Sequence, residues 1–170
     1  MTEFVLTVDA GITDLRASDH LLQTLAAELA LPEGEFGCTH LVRGDRPRVV
    51  LSLTLPSQSL LRTAQERLSE QGYEVTGGAP DAVGRAVVYP GVSSLTGTLT
   101  VAQVLARSAI DRVTVLGAAG QPAPDARLVT QDHVRPQWTD GELVLTAMPA
   151  VGGVLVPFEV PDPTPCCADH

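Results

Sequence analysis

The residues best equipped for chemistry crowd the end of the chain. Cys166, Cys167 and His170 fall within the last five positions, behind a segment carrying Pro157, Pro161, Pro163 and Pro165. Thiolate sulfur and imidazole nitrogen are the ligands that thiophilic ions prefer, and tetrahedral zinc sites are assembled from four of them. Upstream, Cys38-Thr39-His40 supplies the third cysteine and a second histidine. Their spacing puts both side chains on one face of a strand. Cys38, His40, Cys166, Cys167 and His170 are therefore the candidate metal ligands, for zinc or copper, and no other cofactor is expected. The C-x-x-C knuckle of zinc ribbons is absent, so the case rests on local density. A vicinal thiol pair is also a redox group and a nucleophile. The prolines hold the tail near polyproline II, at ~3.1 Å per residue, so it either folds back toward Cys38 and His40 or reaches out to a partner.

A second group, Asp132-His133 with Arg135 and Trp138 close in sequence, combines carboxylate, imidazole and guanidinium. It is the candidate catalytic pair, an acid and a base for a small substrate. Asp14, Arg16, Asp19 and His20 gather where a helix is expected to begin, and acidic side chains there offset the macrodipole. Val113 to Gly120 has the look of a strand and glycine turn for a dinucleotide. Its third glycine is missing, and Gln121-Pro122-Ala123-Pro124 stands where a helix N-terminus should receive the pyrophosphate, so no such site is expected. Arg43-Gly44-Asp45 reads as a turn. No nucleophile elbow and no His-Glu-x-x-His occurs.

Composition narrows the function classes. Twenty acidic residues against eleven basic ones give a formal charge of −9, which excludes nucleic acid as a partner because phosphate binding needs clustered cations. All eleven basic residues are arginine. Without lysine there is no P-loop, no Schiff base and no polybasic membrane patch. The absence of both lysine and asparagine implies a GC-rich genome and a bacterial source. Three cysteines, no basic n-region in Met1 to Ala10 and no apolar stretch of spanning length lead to the expectation of a cytoplasmic protein, neither exported nor bound to membrane.

The elements that must position these groups follow from periodicity. Phe4, Leu6 and Val8 alternate as in a strand. Ser18 is placed to cap a helix bearing Leu21, Leu22, Leu25 and Leu29. Phe36, Cys38 and His40 share one face of a strand that turns into another through Val49, Leu51, Leu53 and Leu55. Pro56-Ser57 opens a helix with Leu60, Leu61, Ala64 and Leu68, Gly72 stops it, and Tyr73 to Val75 is extended. This β-α-β-β-α-β order resembles the ferredoxin-like split βαβ pattern, in which two helices cover one face of a four-stranded antiparallel sheet. That resemblance carries no activity with it.

The fold class expected is thus α+β, with a ferredoxin-like domain over 1–77, a β-rich domain with one short helix over 82–160, and a Pro/Cys tail over 161–170. In the second half, strands are expected at Val83 to Val88, Arg112 to Leu116, Val134 to Trp138, Glu142 to Met148 and Gly153 to Val160. Thr100 caps the helix, and Asp140-Gly141 makes a hairpin turn. An open sheet leaves edges and a face to cover, so a homodimer or a protein partner is expected through that sheet or through the tail. The leading functional expectation is a small accessory protein that captures a thiophilic metal. The alternatives are an enzyme using a Cys thiolate or Asp132 and His133, and a structural or regulatory subunit without a site.

Overall fold

Alternating Phe4, Leu6 and Val8 form the inner face of β1 (Phe4–Ile12), and Leu6 and Val8 are fully buried. Asp14 then caps α1 (Leu15–Glu28), its carboxylate accepting from the N–H groups of Arg16 and Ala17. The cap expected at Ser18 is displaced four residues upstream. Asp14 satisfies two orphan amides at once, while the Ser18 hydroxyl donates back to the Asp14 carbonyl at 2.9 Å. Leu22 and Leu25 are the buried stripe of the helix.

β2 (Gly37–Val42) and β3 (Arg48–Leu55) pair antiparallel in a hairpin with Val42 opposite Arg48, so Arg43-Gly44-Asp45 lies in the turn, as expected. α2 (Gln58–Glu70) is capped by Ser57, and Gly72 leaves it at φ +91°, in the region that favours glycine. β4 (Glu74–Gly77) follows. Leu22 and Leu25 of α1, Ala64 and Leu68 of α2, and Leu51, Leu53 and Leu55 of β3 meet in one core. Each fully buried leucine there contributes about 1.5–3 kcal/mol.

The computed structural model describes residues 4–161, in two units. The first runs to Val92 and also takes in Gln137–Gly141. Its sheet is larger than the four strands expected. β5 (Arg85–Val88) pairs antiparallel with β2, and β9 (Gln137–Thr139) pairs antiparallel with β5 through Arg85 and Gln137, giving the order β4-β1-β3-β2-β5-β9. β2 would otherwise present an unpaired edge. Both helices lie against the face bearing Leu6, Val8, Leu51 and Leu53. Arg85 is held inside by Asp19 of α1, bidentate at 2.6 and 3.0 Å, and its Nη1 also donates to Thr39 Oγ1 at 3.1 Å.

The second unit contains Ser93–Pro136 and the chain from Glu142 onward. β6 (Thr98–Thr100) leads into α3 (Val101–Arg107), where Thr100 and Gln103 form a reciprocal capping box. β7 (Arg112–Val115) and β10 (Glu142–Ala150) pair in parallel, β11 (Val154–Pro157) pairs antiparallel with β10 and parallel with β8 (Arg127–Val129), and β8 pairs antiparallel with β6. Val113, Leu128, Leu143 and Leu145 are buried among these strands. The strand expected from Val134 begins only at Gln137, because Pro136 cannot donate to a ladder and biases Arg135 as well. Asp140 and Gly141, at φ +51° and +81°, make the turn that leads from β9 into β10. The α+β class expected from the sequence holds. No helix among the described residues is long and apolar enough to cross a membrane.

Candidate functional site

In the first unit the sheet face away from the helices carries Thr7 and Asp9 of β1, Cys38 and His40 of β2, Arg48, Val50 and Ser52 of β3, and Glu74 and Thr76 of β4. Strand alternation and register bring them together: Cys38 stands opposite Ser52, His40 opposite Val50, Thr76 opposite Thr7 and Glu74 opposite Asp9. Neither α1 nor α2 lies on this face. The segment from Gly78 to Gly84, linking β4 to β5, passes over it instead.

Four hydrogen bonds fasten that segment at both ends. The Gly78 N–H donates to the Val5 carbonyl at 2.8 Å, and the Thr7 hydroxyl donates to the Gly78 carbonyl at 2.6 Å. At the other end, His40 Nδ1 meets the Ala82 carbonyl at 3.1 Å and the Trp138 N–H donates to the Gly84 carbonyl at 2.9 Å. Gly84 is closely packed. A Cβ there would lie 3.2 Å from both His40 Cε1 and Trp138 Cδ1.

His40 is the centre of this fastening. A carbonyl only accepts, so Nδ1 carries the proton and Nε2 is left to accept from the Ser52 hydroxyl at 2.7 Å. His40 and Ser52 are only 5% and 6% exposed. Burial lowers the pKa of His40 against the opposing pull of the Ala82 and Val83 carbonyls, so the ring is neutral. Burial likewise pushes the Cys38 thiol up to about 11, against smaller contributions from Trp138 and Ser52. Phe36 closes the group edge-on to Trp138, with ring centroids 5.4 Å apart.

Cys38 and His40 thus share a face, as their spacing implied. As found, the imidazole spends both nitrogens on hydrogen bonds and the thiol is protonated, whereas metal ligation needs a free imidazole lone pair and a thiolate. Among the described residues no third histidine, cysteine or carboxylate ligand atom gathers with them. Cys166, Cys167 and His170 lie outside the described residues. Asp132 and His133 do not face one another: Asp132 Oδ1 accepts from the Gly97 N–H at 3.0 Å, and the carboxylate that meets His133 Nε2, at 2.7 Å, is Glu159. Asp132 sits at φ +53° in a turn, so its side chain serves the backbone.

What the fastened segment encloses is a cleft of about 900 Å³, open to solvent. Its lining includes Thr7, Val50 and Thr76 from the sheet and Ala79 to Val83 from the overhang. Five charged side chains line it: the carboxylates Asp9, Glu74 and Asp81 and the guanidiniums Arg43 and Arg48. Arg48 Nε is clamped to Asp9 Oδ2 at 2.6 Å. Burial works to raise the pKa of Asp9, yet the Gly11 N–H and Arg48 together hold the carboxyl below its usual range. The clamp engages Nε alone, leaving the Nη edge of a positionally fixed guanidinium for an incoming acceptor.

Periodicity marks these residues only as the polar alternates of their strands, since their convergence depends on pairing between β1, β3 and β4. The Gly77-Gly78-Ala79-Pro80 break was the one local signal, and it reads equally as a linker. Compared with models of protein families, with curated proteins and with solved structures, the chain matches none.

Proposed function

We propose that the protein is a cytoplasmic accessory protein that binds a small polar molecule, and that its first unit is a ferredoxin-like frame whose helix-free face holds the ligand. The strand order β4-β1-β3-β2 with every neighbouring pair antiparallel supports the frame. The observation that carries the binding role is the overhang from Gly78 to Gly84, tied down at both ends above a cleft lined by both apolar and charged side chains. A cavity of a few hundred Å³ or more with a few convergent polar groups is the ordinary form of a ligand site. Because the wall is already fastened, little ordering entropy is lost on binding. Capture is favoured over turnover because, among the described residues, the hydroxyl–imidazole contact of Ser52 with His40 is buried within the fastening.

The test is a screen of polar metabolite-sized compounds by ligand-observed NMR, with hits mapped onto backbone amides. Shifts confined to Thr7, Val50, Thr76 and Ala82 are the expected result. Hits that map elsewhere, or none, would overturn the proposal.

A thiophilic metal, zinc or copper, held by Cys166, Cys167 and His170 is a second proposal, favoured by the density of ligand-type residues in the last five positions. Cys38 and His40 are not needed for it. Elemental analysis of untagged protein, purified under reducing conditions, should find stoichiometric metal that is lost in a Cys166→Ser/Cys167→Ser variant. Metal-free wild type would end this reading.

A further inference from the structure

We infer that the ligand of the cleft is a short zwitterionic peptide of about three residues, lying obliquely across the strands with its ammonium toward β4 and its carboxylate toward the β2–β3 turn. This rests on the reading of the cleft as a ligand site. Charges follow a fixed order across the sheet. Glu74 stands on β4 directly opposite Asp9 of β1, Asp9 is clamped to Arg48 of β3, and Arg43 follows β2 immediately after Val42, the residue opposite Arg48. Reading from the β4 edge, the row is negative, negative, positive, positive. The inner two charges neutralise one another. The outer two do not: among the described residues neither Glu74 nor Arg43 has a hydrogen-bond or ion-pair partner.

A ligand that completes this row is cationic at one end and anionic at the other. β4 and β2 are three strand spacings apart, ~4.8 Å each, and the register sets Arg43 about three residues further along the strands than Glu74, ~3.3 Å each, so the two backbone positions are ~17 Å apart. Subtracting about 3 Å of contact at each end leaves roughly 11 Å between the ligand's charged groups, the span of about three extended residues at ~3.3 Å each. A free amino acid is too short to reach both. Polyphosphates and nucleotides are disfavoured by three lining carboxylates against two guanidiniums. Beside this charged row the cleft also offers apolar surface, with buried Val50 beneath and Leu41 and Val83, 54% and 61% exposed, in its lining. Apolar side chains of a peptide would cover both.

Trialanine, N-acetyl-trialanine, trialanine amide and alanine, each titrated into the full chain and followed by the amide shifts of Thr7, Val50 and Thr76, test this directly. Trialanine is expected to bind, and capping either end to weaken it about tenfold, the value of one charge-assisted hydrogen bond in partly exposed surroundings. Arg43→Gln should erase the difference between trialanine and its amide, while Glu74→Gln should erase the difference between trialanine and its acetylated form. Neither position belongs to the core, so an unchanged Trp138 emission spectrum verifies that the variants fold. Equal binding of capped and free peptides overturns the inference. If trialanine fails while another compound shifts the same amides, the peptide assignment falls and the cleft survives; if no compound shifts them, both fall.

Discussion

Replacing His40 by leucine removes both hydrogen bonds of the neutral ring and leaves the Ser52 hydroxyl and the Ala82 carbonyl without their partner. Each buried polar group so orphaned costs about 1–3 kcal/mol, offset in part by the apolar side chain that replaces the ring, so the loss near pH 7.5 should be about 2–4 kcal/mol. The pH dependence is the sharper test. The folded-state pKa of His40 is depressed by burial. Above the unfolded value of 6.5 both states are neutral there and the native contribution is complete. As pH falls below 6.5 the unfolded chain takes up a proton that the folded protein refuses, and stability is lost at up to about 1.4 kcal/mol per pH unit until the folded pKa is reached. The leucine variant has nothing at this position to titrate, so the gap between wild type and variant should narrow by up to about 1.4 kcal/mol between pH near 7.5 and pH near 5.5. Asp9, whose carboxyl lies below its usual range, loses its contribution only at more acidic pH and does so in both proteins. Urea unfolding followed through Trp138, the single tryptophan and a member of the first unit, reads the effect. A gap that stays constant or widens as pH falls would refute the claim that His40 is a neutral buried fastener.

Asp19→Ala or Arg85→Ala should each cost about 3–5 kcal/mol in the same assay, because either removes the bidentate ionic partner of a buried charge; the double variant Asp19→Leu/Arg85→Met should recover much of that loss, and additive costs would contradict a shared pair. In a Cys166→Ser/Cys167→Ser background, Cys38 should resist a disulfide reagent near pH 8 in the folded protein and react at once in denaturant, since a thiol raised to about 11 and 5% exposed presents almost no thiolate. Gly84→Ala should lower stability by about 1 kcal/mol or more through its contact with His40 and Trp138, and an unchanged urea midpoint would show that the neighbours yield freely.

The elements of the first unit were legible because their information is local. Leucine stripes, the Ser57 cap and the Gly72 stop each reside within a few residues of the feature they specify, as does the Thr100 cap in the second unit. The sequence also placed Cys38 and His40 on one face. It could not say what that face meets. Asp19 reads as an ordinary first-turn acid until Arg85, 66 positions later, turns out to be its partner, and His40 reads as a metal ligand until Ser52 and Ala82 occupy both its nitrogens. Asp132 and His133 show the same limit: adjacent in sequence, they face different partners because positive φ at Gln131 and Asp132 turns the chain between them. The cleft was the least legible feature, since its residues are single polar alternates on three strands and a loop.

The late arrival of β9 in the first unit has a consequence for how the chain is made. β5 emerges from the ribosome about 50 residues before the strand that covers it, an interval of roughly 3–10 s at ordinary rates of synthesis. Throughout that interval the nascent sheet ends at β5, and Trp138 is not yet available to hold the Gly84 carbonyl or to cap Phe36. The cleft wall can therefore be completed only after most of the second unit has been translated. A ribosome-bound chain stopped before Gln137 should fold its helices and inner strands yet remain open to chaperones along that edge.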